Sequence, residues 1–276
     1  MQRLMMAVIL AFVLLSATGP LHAAPANAPT HDSTVWDVQP SFKYDALCFF
    51  NILSGDPFYL RYYQPVYDHF EPLLTPEVKA AIATIKKVIK DQGGGIISAR
   101  LALYYSVVPA ATLDQLIEAT RNVEPLKQAL QKTEYFDPDG WKQFDSVRPQ
   151  LVTVFEFLKR IHFHDYWQDK VRPGVETHAA ELQRRLDRYN IIPMQEGILG
   201  HPLPSNRITV YLLHFVLPHG IRITGTRFLT GEPYPMRVVL MNAMHEMLHP
   251  PYDWEHDTVL RQSLETLKAD RFLMQR

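Results

Sequence analysis

Residues 207–228 read RITVYLLHFVLPHGIRITGTRF and decide between an all-helical and a mixed fold. Residues 207–216 and 221–228 are rich in β-branched and aromatic side chains, and the turn-forming sequence Leu217-Pro218-His219-Gly220 separates them. From 221 to 224, isoleucine alternates with arginine or threonine, which is typical of a half-buried strand. The pattern predicts two strands that form a small antiparallel unit.

The sequence before this unit has the periodicity of helices. In residues 77–91, apolar side chains recur at spacings of three and four, proline precedes them, and three glycines follow. Similar patterns cover residues 96–108, 113–132 with a break at Pro125, 147–167 and 175–189. We therefore predict an α+β, mostly α-helical fold. A helical domain over residues 40–190 precedes a region over residues 191–276 that contains the β unit and a metal-binding helix.

Residues 42–67 are unusually rich in aromatic side chains. The sequence Ser54-Gly55-Asp56-Pro57 predicts a turn between two apolar segments. Such aromatic residues can form a platform that stacks on sugars or bases, but more often they fill a hydrophobic core. The interpretation as core is favoured.

Charge and cysteine content narrow the classes of function. The 276 residues include 28 basic and 29 acidic side chains, without a basic block that would follow a phosphate backbone. Nucleic acid is therefore not expected as a partner. Cys48 is the single cysteine, so no disulfide can form within the chain.

The amino terminus has the order of a secretory signal. Arg3 precedes an apolar run over residues 4–15, and small residues follow it, which predicts a signal peptide over residues 1–23. The alternative is a membrane anchor, but the run is shorter than the roughly 20 residues of a span. We expect a secreted or periplasmic protein without stable membrane insertion after cleavage. Residues 24–39 are polar and contain proline, which predicts a flexible leader.

The most specific motif is the pentad His245-Glu246-Met247-Leu248-His249 within the predicted helix MRVVLMNAMHEMLH, residues 236–249. Side chains four positions apart lie on the same helical face, so His245 and His249 can bind one zinc ion. Glu246 lies beside them and can act as general base toward a metal-activated water. The alternative is a pair of surface or packing histidines. The apolar upstream face, the uncharged Met247 and Leu248 and the preceding β unit favour the zinc site.

This pentad, with a strand unit before it and a helix after it, resembles the zinc metallopeptidases called zincins, and among them the gluzincins (peptidase MA type). The resemblance covers about the last 85 residues. It implies a zinc cofactor, a peptide or protein substrate that can pair with the strand before the helix, and a glutamate from the next helix as third ligand. Glu265, in SLETLKAD, is the candidate for this ligand. The metzincin branch has its third ligand nearer the pentad, and Glu255, His256 and Asp257 are the alternatives there.

These observations predict an exported zinc-dependent hydrolase, a metallopeptidase with Glu246 as general base. The alternative is a catalytically inactive protein with a zincin fold, or a helical binding or scaffold protein of the cell envelope. A zinc hydrolase that acts on another kind of bond also stays open, because the pentad defines how water is activated and not which bond is cleaved.

Overall fold

The structure is a computed structural model that describes residues 30–199 and 202–247. Within these ranges the chain is mostly α-helical and contains a four-stranded mixed sheet, which confirms the predicted α+β, mostly α-helical class. No helix in these ranges has the length and apolar character needed to cross a membrane. The signal peptide predicted at residues 1–23 lies outside the described residues.

The described residues form twelve α-helices, and several of them pack on the sheet. They are α1 (Phe42–Leu53), α2 (Pro57–Phe70), α3 (Pro76–Ile85), α4 (Ile97–Tyr105), α5 (Leu113–Arg121), α6 (Glu124–Leu130), α7 (Pro138–Ser146), α8 (Arg148–Arg160), α9 (Phe163–Tyr166), α10 (Arg172–Leu186), α11 (Ile191–Leu199) and α12 (Met236–Glu246). A 3₁₀ turn (Glu71–Leu73) follows α2, and two π-helical segments continue α3 (Lys86–Gln92) and precede α10 (Trp167–Val171).

Several helices begin at a polar residue followed by proline. Asp56, Thr75 and Asp137 each accept a hydrogen bond from a backbone N–H of the first turn of α2, α3 and α7, and proline is the next residue in all three cases. The acceptor satisfies an otherwise unpaired N–H, and proline has none to satisfy. The predicted helix 77–91 is confirmed, and it ends at the three glycines, where Gly94 has a φ of 63°.

The sheet has the strand order β1-β2-β4-β3, with β1 (Val35–Pro40), β2 (Arg207–Leu213), β3 (Ile221–Ile223) and β4 (Arg227–Gly231). β2 runs parallel to both β1 and β4, and β3 pairs antiparallel with β4. The sheet is therefore mixed rather than antiparallel, and residues 207–216 do not pair with the strand that follows them.

Two features explain this difference from the predicted pairing. β2 has neighbours on both sides and is mostly buried, which fits its nearly continuous apolar sequence, a pattern typical of parallel strands covered on both faces. Gly225, with a φ of 72°, forms a turn that divides residues 221–228 into β3 and β4. Glycine adopts this backbone conformation without steric cost. The antiparallel hairpin therefore turns within the second predicted strand and extends beyond it to Gly231.

Residues 35–39, for which composition predicts a flexible leader, belong to β1. Gln183 of α10 covers the outer edge of this strand, because its Oε1 accepts the Val38 N–H at 2.8 Å and its Nε2 donates to the Trp36 carbonyl at 3.0 Å. The Trp36 side chain is only 4% exposed. Burial of tryptophan and pairing with β2 explain why this polar segment is ordered. The sheet thus draws strands from both sides of the boundary predicted at residue 190.

The aromatic segment contributes to the core. Phe49 of α1 is fully buried, and its ring lies 5.1 Å from that of Phe70, 4.5 Å from Phe163 and 5.1 Å from Phe215. These rings come from four separate parts of the chain and connect α1, α2 and α9 with the segment after β2. The interpretation of this aromatic segment as core is confirmed for α1.

Candidate functional site

Helix α12 carries the two candidate site residues of the predicted motif that the structure describes, His245 and Glu246. The helix packs on β4, and its Val239 and Ala243 are fully buried. The Met247 N–H donates to the Ala243 carbonyl at 3.0 Å, so helical hydrogen bonding extends through residue 247. The prediction that the motif begins on a helix is confirmed.

Glu246 is a buried carboxyl group, with 5% of the residue exposed. Burial raises the pKa of Glu246 to about 7, although the guanidinium of Arg222 and a hydrogen bond from the Arg222 backbone N–H act in the opposite direction. Gly220 lies against the carboxylate, since a Cβ atom at this position would be 3.1 Å from Glu246 Oε1. The carboxyl group is thus held beside β3 and can exchange a proton near neutral pH.

His245 lies next to this carboxyl group and is partly accessible. Its side chain is 28% exposed, and its Nε2 is 3.9 Å from Glu246 Oε1. Burial lowers the pKa of His245, which favours the neutral imidazole at neutral pH. Neutral imidazole is the form that binds a metal ion.

Polar contacts from two other elements hold the last turns of α12. Asn242 Nδ2 donates to Thr230 Oγ1 of β4 at 2.9 Å, and Gln195 Nε2 of α11 donates to the Met244 carbonyl at 2.9 Å. Carbonyl groups at the carboxyl end of a helix need such external donors. These two contacts therefore hold the turn that bears His245 and Glu246 against the sheet and α11.

Arg222 is the residue near Glu246 that sequence reasoning did not assign to the site. Its alternation with isoleucine suggested a half-exposed position, but the residue is only 8% exposed. Its Nε donates to Tyr135 Oη at 3.1 Å and its Nη1 contacts Met247 Sδ at 2.9 Å. The available signal was a basic residue in a short apolar strand, upstream in the sequence of the helix that carries Glu246.

The other predicted ligands, His249 and Glu265, lie outside the described residues, as do the alternatives Glu255, His256 and Asp257. Within residues 30–199 and 202–247, no group of three histidine, cysteine, aspartate or glutamate side chains is arranged to hold a metal ion. Of the ligand types that zinc uses, the described residues of this site offer one imidazole, His245, whose pKa is lowered by burial, and one adjacent carboxyl group, Glu246.

The close approach of Gly220 to the Glu246 side chain leads to a testable prediction. In Gly220→Ala, the new methyl group would lie 3.1 Å from both Asn242 Cγ and Glu246 Oε1, so the two side chains must shift by a few tenths of an ångström. For the hydrolase predicted from the sequence, with Glu246 as its general base, kcat/KM should fall about 10-fold, since small displacements of catalytic groups reduce rates strongly. Activity and the thermal midpoint should be measured together.

Gly197→Ala is the matched control for this substitution, because a Cβ atom at position 197 meets nothing within 4 Å. We expect this variant to keep full activity. Equal activity of both variants would show that the position of Glu246 does not matter for the reaction.

A second polar cluster lies at the carboxyl ends of β2 and β4. Glu232 accepts one hydrogen bond from His214 Nδ1 at 2.9 Å and another from His178 Nδ1 of α10 at 2.8 Å. Burial by itself would lower the pKa of His214, but the hydrogen bond and charge of Glu232, with the charge of the buried Asp45, raise it. The hydrogen bond from His214 lowers the pKa of Glu232. The cluster connects α10 to the sheet just before α12 begins.

Comparisons of this chain with protein-family models, with curated proteins and with solved structures find no match.

Proposed function

We propose that this protein is an exported zinc-dependent hydrolase, a metallopeptidase in which His245, His249 and Glu265 hold the metal and Glu246 is the general base. The observation that carries the proposal is the pairing of His245 and Glu246 in the last turn of an anchored helix, with Nε2 and Oε1 3.9 Å apart. A ligand and a base that act on one water molecule must be neighbours of this kind.

The proposed roles of His245 and Glu246 follow from the chemistry of their side chains. Zinc, when bound, supplies a Lewis acid that lowers the pKa of water and polarises a carbonyl group. His245 binds as a neutral nitrogen donor. Glu246 takes up a proton at its carboxylate and returns it to the leaving amine, for which a pKa raised by burial is suited.

The position of β3 supports a peptide as the substrate. β3 is an edge strand of the sheet and lies beside Glu246, and an extended peptide can add to such an edge by main-chain hydrogen bonds. The backbone N–H of Arg222 is bound to Glu246 in the absence of substrate. A peptide that pairs at this position would compete for that N–H and would release the carboxylate for proton transfer.

Metal analysis of the purified protein tests the ligand assignment directly. We expect about one zinc ion per wild-type chain, and loss of about 10-fold or more in zinc affinity for His245→Ala, since one of the ligands is removed. His164→Ala, which alters a histidine with 48% side-chain exposure on α9, is the control and should bind zinc as the wild type does. Equal zinc content in all three proteins would refute the proposed site.

A binding or scaffold function is the second candidate, and one observation favours it. Glu246 accepts a hydrogen bond from the backbone of Arg222, so the carboxyl group also connects α12 to β3 and could be retained for stability alone. In that case the protein would bind no zinc or would hold it for structure only, and Glu246→Gln would leave its properties nearly unchanged. A loss of hydrolytic rate in Glu246→Gln would favour the hydrolase, and an unchanged variant would favour the binding or scaffold protein.

A further inference from the structure

His214, directly after β2, lies beside two carboxyl groups that come from other elements. Its Nδ1 is 2.9 Å from Glu232 Oε2, and the next residue, Phe215, donates its backbone N–H to Asp45 Oδ1 of α1 at 2.8 Å. The His214 side chain is 38% exposed, whereas that of Glu232 is 14% exposed and Asp45 is fully buried. A protonated His214 therefore carries a charge that compensates both carboxylates.

The hydrogen bonds of Asp45 come from neutral groups within the described residues. Its Oδ2 accepts the Trp167 Nε1–H at 2.8 Å, and its Oδ1 accepts the Phe215 N–H. Burial raises the pKa of Asp45 to about 6, although these hydrogen bonds and the charge of His214 act in the opposite direction. A buried carboxylate is costly unless a positive charge lies near it. Among the described residues, His214 supplies that charge.

Glu232 connects this cluster to α10. Its Oε1 is 2.8 Å from His178 Nδ1, and a Cβ atom at Gly174, near the start of α10, would be 3.2 Å from the same oxygen. The hydrogen bond from His214 lowers the pKa of Glu232, so this carboxyl group is charged at neutral pH. Two imidazoles and two carboxyl groups therefore join α1, the ends of β2 and β4, and α10.

We propose that His214 is a pH-sensitive switch, which holds α1, α10 and the end of β4 together while it is protonated and loosens this junction when it loses the proton. Deprotonation leaves Asp45 and Glu232 as carboxylates next to a neutral imidazole. The switch involves none of the proposed zinc ligands. Burial raises the pKa of the other acidic groups packed around the cluster, so they stay neutral near pH 7: Cys48 of α1, Tyr63 of α2 and Tyr234 after β4.

The direction of the pH effect follows from the pKa shifts of the cluster. Burial alone would lower the pKa of His214, but Glu232 and Asp45 raise it above the ordinary value of 6.5. The contribution of its charge to stability is therefore complete below that value and is lost as the pH rises through the raised pKa. On the acidic side, the pairing persists until the pH falls through the lowered pKa of Glu232. Since Asp45 is charged above about pH 6, His214 is the one of these three groups whose charge changes from neutral pH upward.

Titration of the His214 ring, followed by NMR, tests the pairing of charges. Its midpoint in the wild type should lie above the ordinary 6.5, and Glu232→Gln should lower it, because glutamine accepts the hydrogen bond without a charge. Glu176→Gln is the control, since Glu176 is an exposed carboxylate that pairs with Arg172 inside α10, and it should leave the midpoint unchanged. Equal midpoints in the wild type and Glu232→Gln would overturn the proposal.

Hydrogen exchange of single amides tests whether the junction loosens. The Phe215 N–H is donated to Asp45, and the Val38 N–H is donated to Gln183 of α10. Between about pH 7 and about pH 9, after correction for the intrinsic exchange rate, the protection of both amides should fall about 5-fold, the effect of a partly exposed ion pair. In His214→Gln, which has no proton to lose, the fall should be less than about 2-fold. Constant protection in the wild type, or equal falls in both proteins, would refute the switch.

Discussion

Replacement of Glu246 by glutamine is expected to lower kcat/KM for peptide hydrolysis by about 10²–10⁴-fold, the usual contribution of a general acid–base group. The amide oxygen of glutamine can still accept the Arg222 N–H, so the local structure should persist. The amide cannot take up a proton from water. Zinc content should stay at the wild-type value, and hydrolysis of a broad peptide library measures the rate.

Glu118→Gln is the matched control for this removal of charge, since Glu118 is an exposed residue of α5, far from α12 in the chain. Its kcat/KM should equal that of the wild type. Undiminished hydrolysis by Glu246→Gln would exclude Glu246 as the base. Zinc binding without hydrolysis by the wild type on any peptide would favour the binding or scaffold protein.

Truncation of Phe49 to alanine is expected to lower the free energy of unfolding by about 3–5 kcal/mol, the typical loss for a buried phenylalanine. The ring is fully buried and contacts three other aromatic rings, so its removal leaves a cavity that the surrounding helices can close only partly. Urea denaturation followed by circular dichroism measures the change. A loss of this size is a large part of the stability of most domains.

Tyr62→Ala is the control within the same aromatic segment, because Tyr62 of α2 is 45% exposed. We expect a change in the free energy of unfolding within about 0.5–1 kcal/mol for this variant. Comparable losses for the two substitutions would contradict the assignment of Phe49 to the core and Tyr62 to the surface. The alternative that residues 42–67 form an exposed aromatic platform for sugars or bases would then be favoured over the core.

The helices could be predicted from sequence because their signals are local. Thr112 and Gln115 form a capping box at the start of α5, and both residues lie within four positions of each other. The break predicted at Pro125 corresponds to the junction between α5 and α6. Caps, prolines and apolar spacing act within a few residues, so one sequence is sufficient to recognise them.

The sheet was harder to predict, because its pairing depends on residues far apart in the chain. Nothing local in residues 35–40 indicates that their partner is β2, and the polar side chains of Asp37 and Gln39 suggested a leader. Gly225 forms the turn between β3 and β4, but a hairpin that turns at residues 217–220 accounts for the same apolar residues with longer strands. Parallel pairing has no short turn to reveal it.

In the candidate site too, relations between neighbouring residues could be predicted, and contacts between residues far apart in the chain could not. The neighbouring positions of His245 and Glu246 follow from helical geometry and could be read from the pentad. Gln195 and Arg222 approach from other elements, and no spacing rule connects them with residue 246. The third ligand depends on the course of the chain after residue 247, so Glu265 stays a prediction.

The partnership of β1 with β2 aligns Asp37 with Thr209, 172 positions apart. The ribosome synthesises β1 early. β2, the strand with which β1 pairs, is synthesised only after most of the chain. Contacts of such long range are slow to form. For the exported protein that the sequence predicts, β1 would therefore still lack its partner strand while the amino end of the chain is translocated.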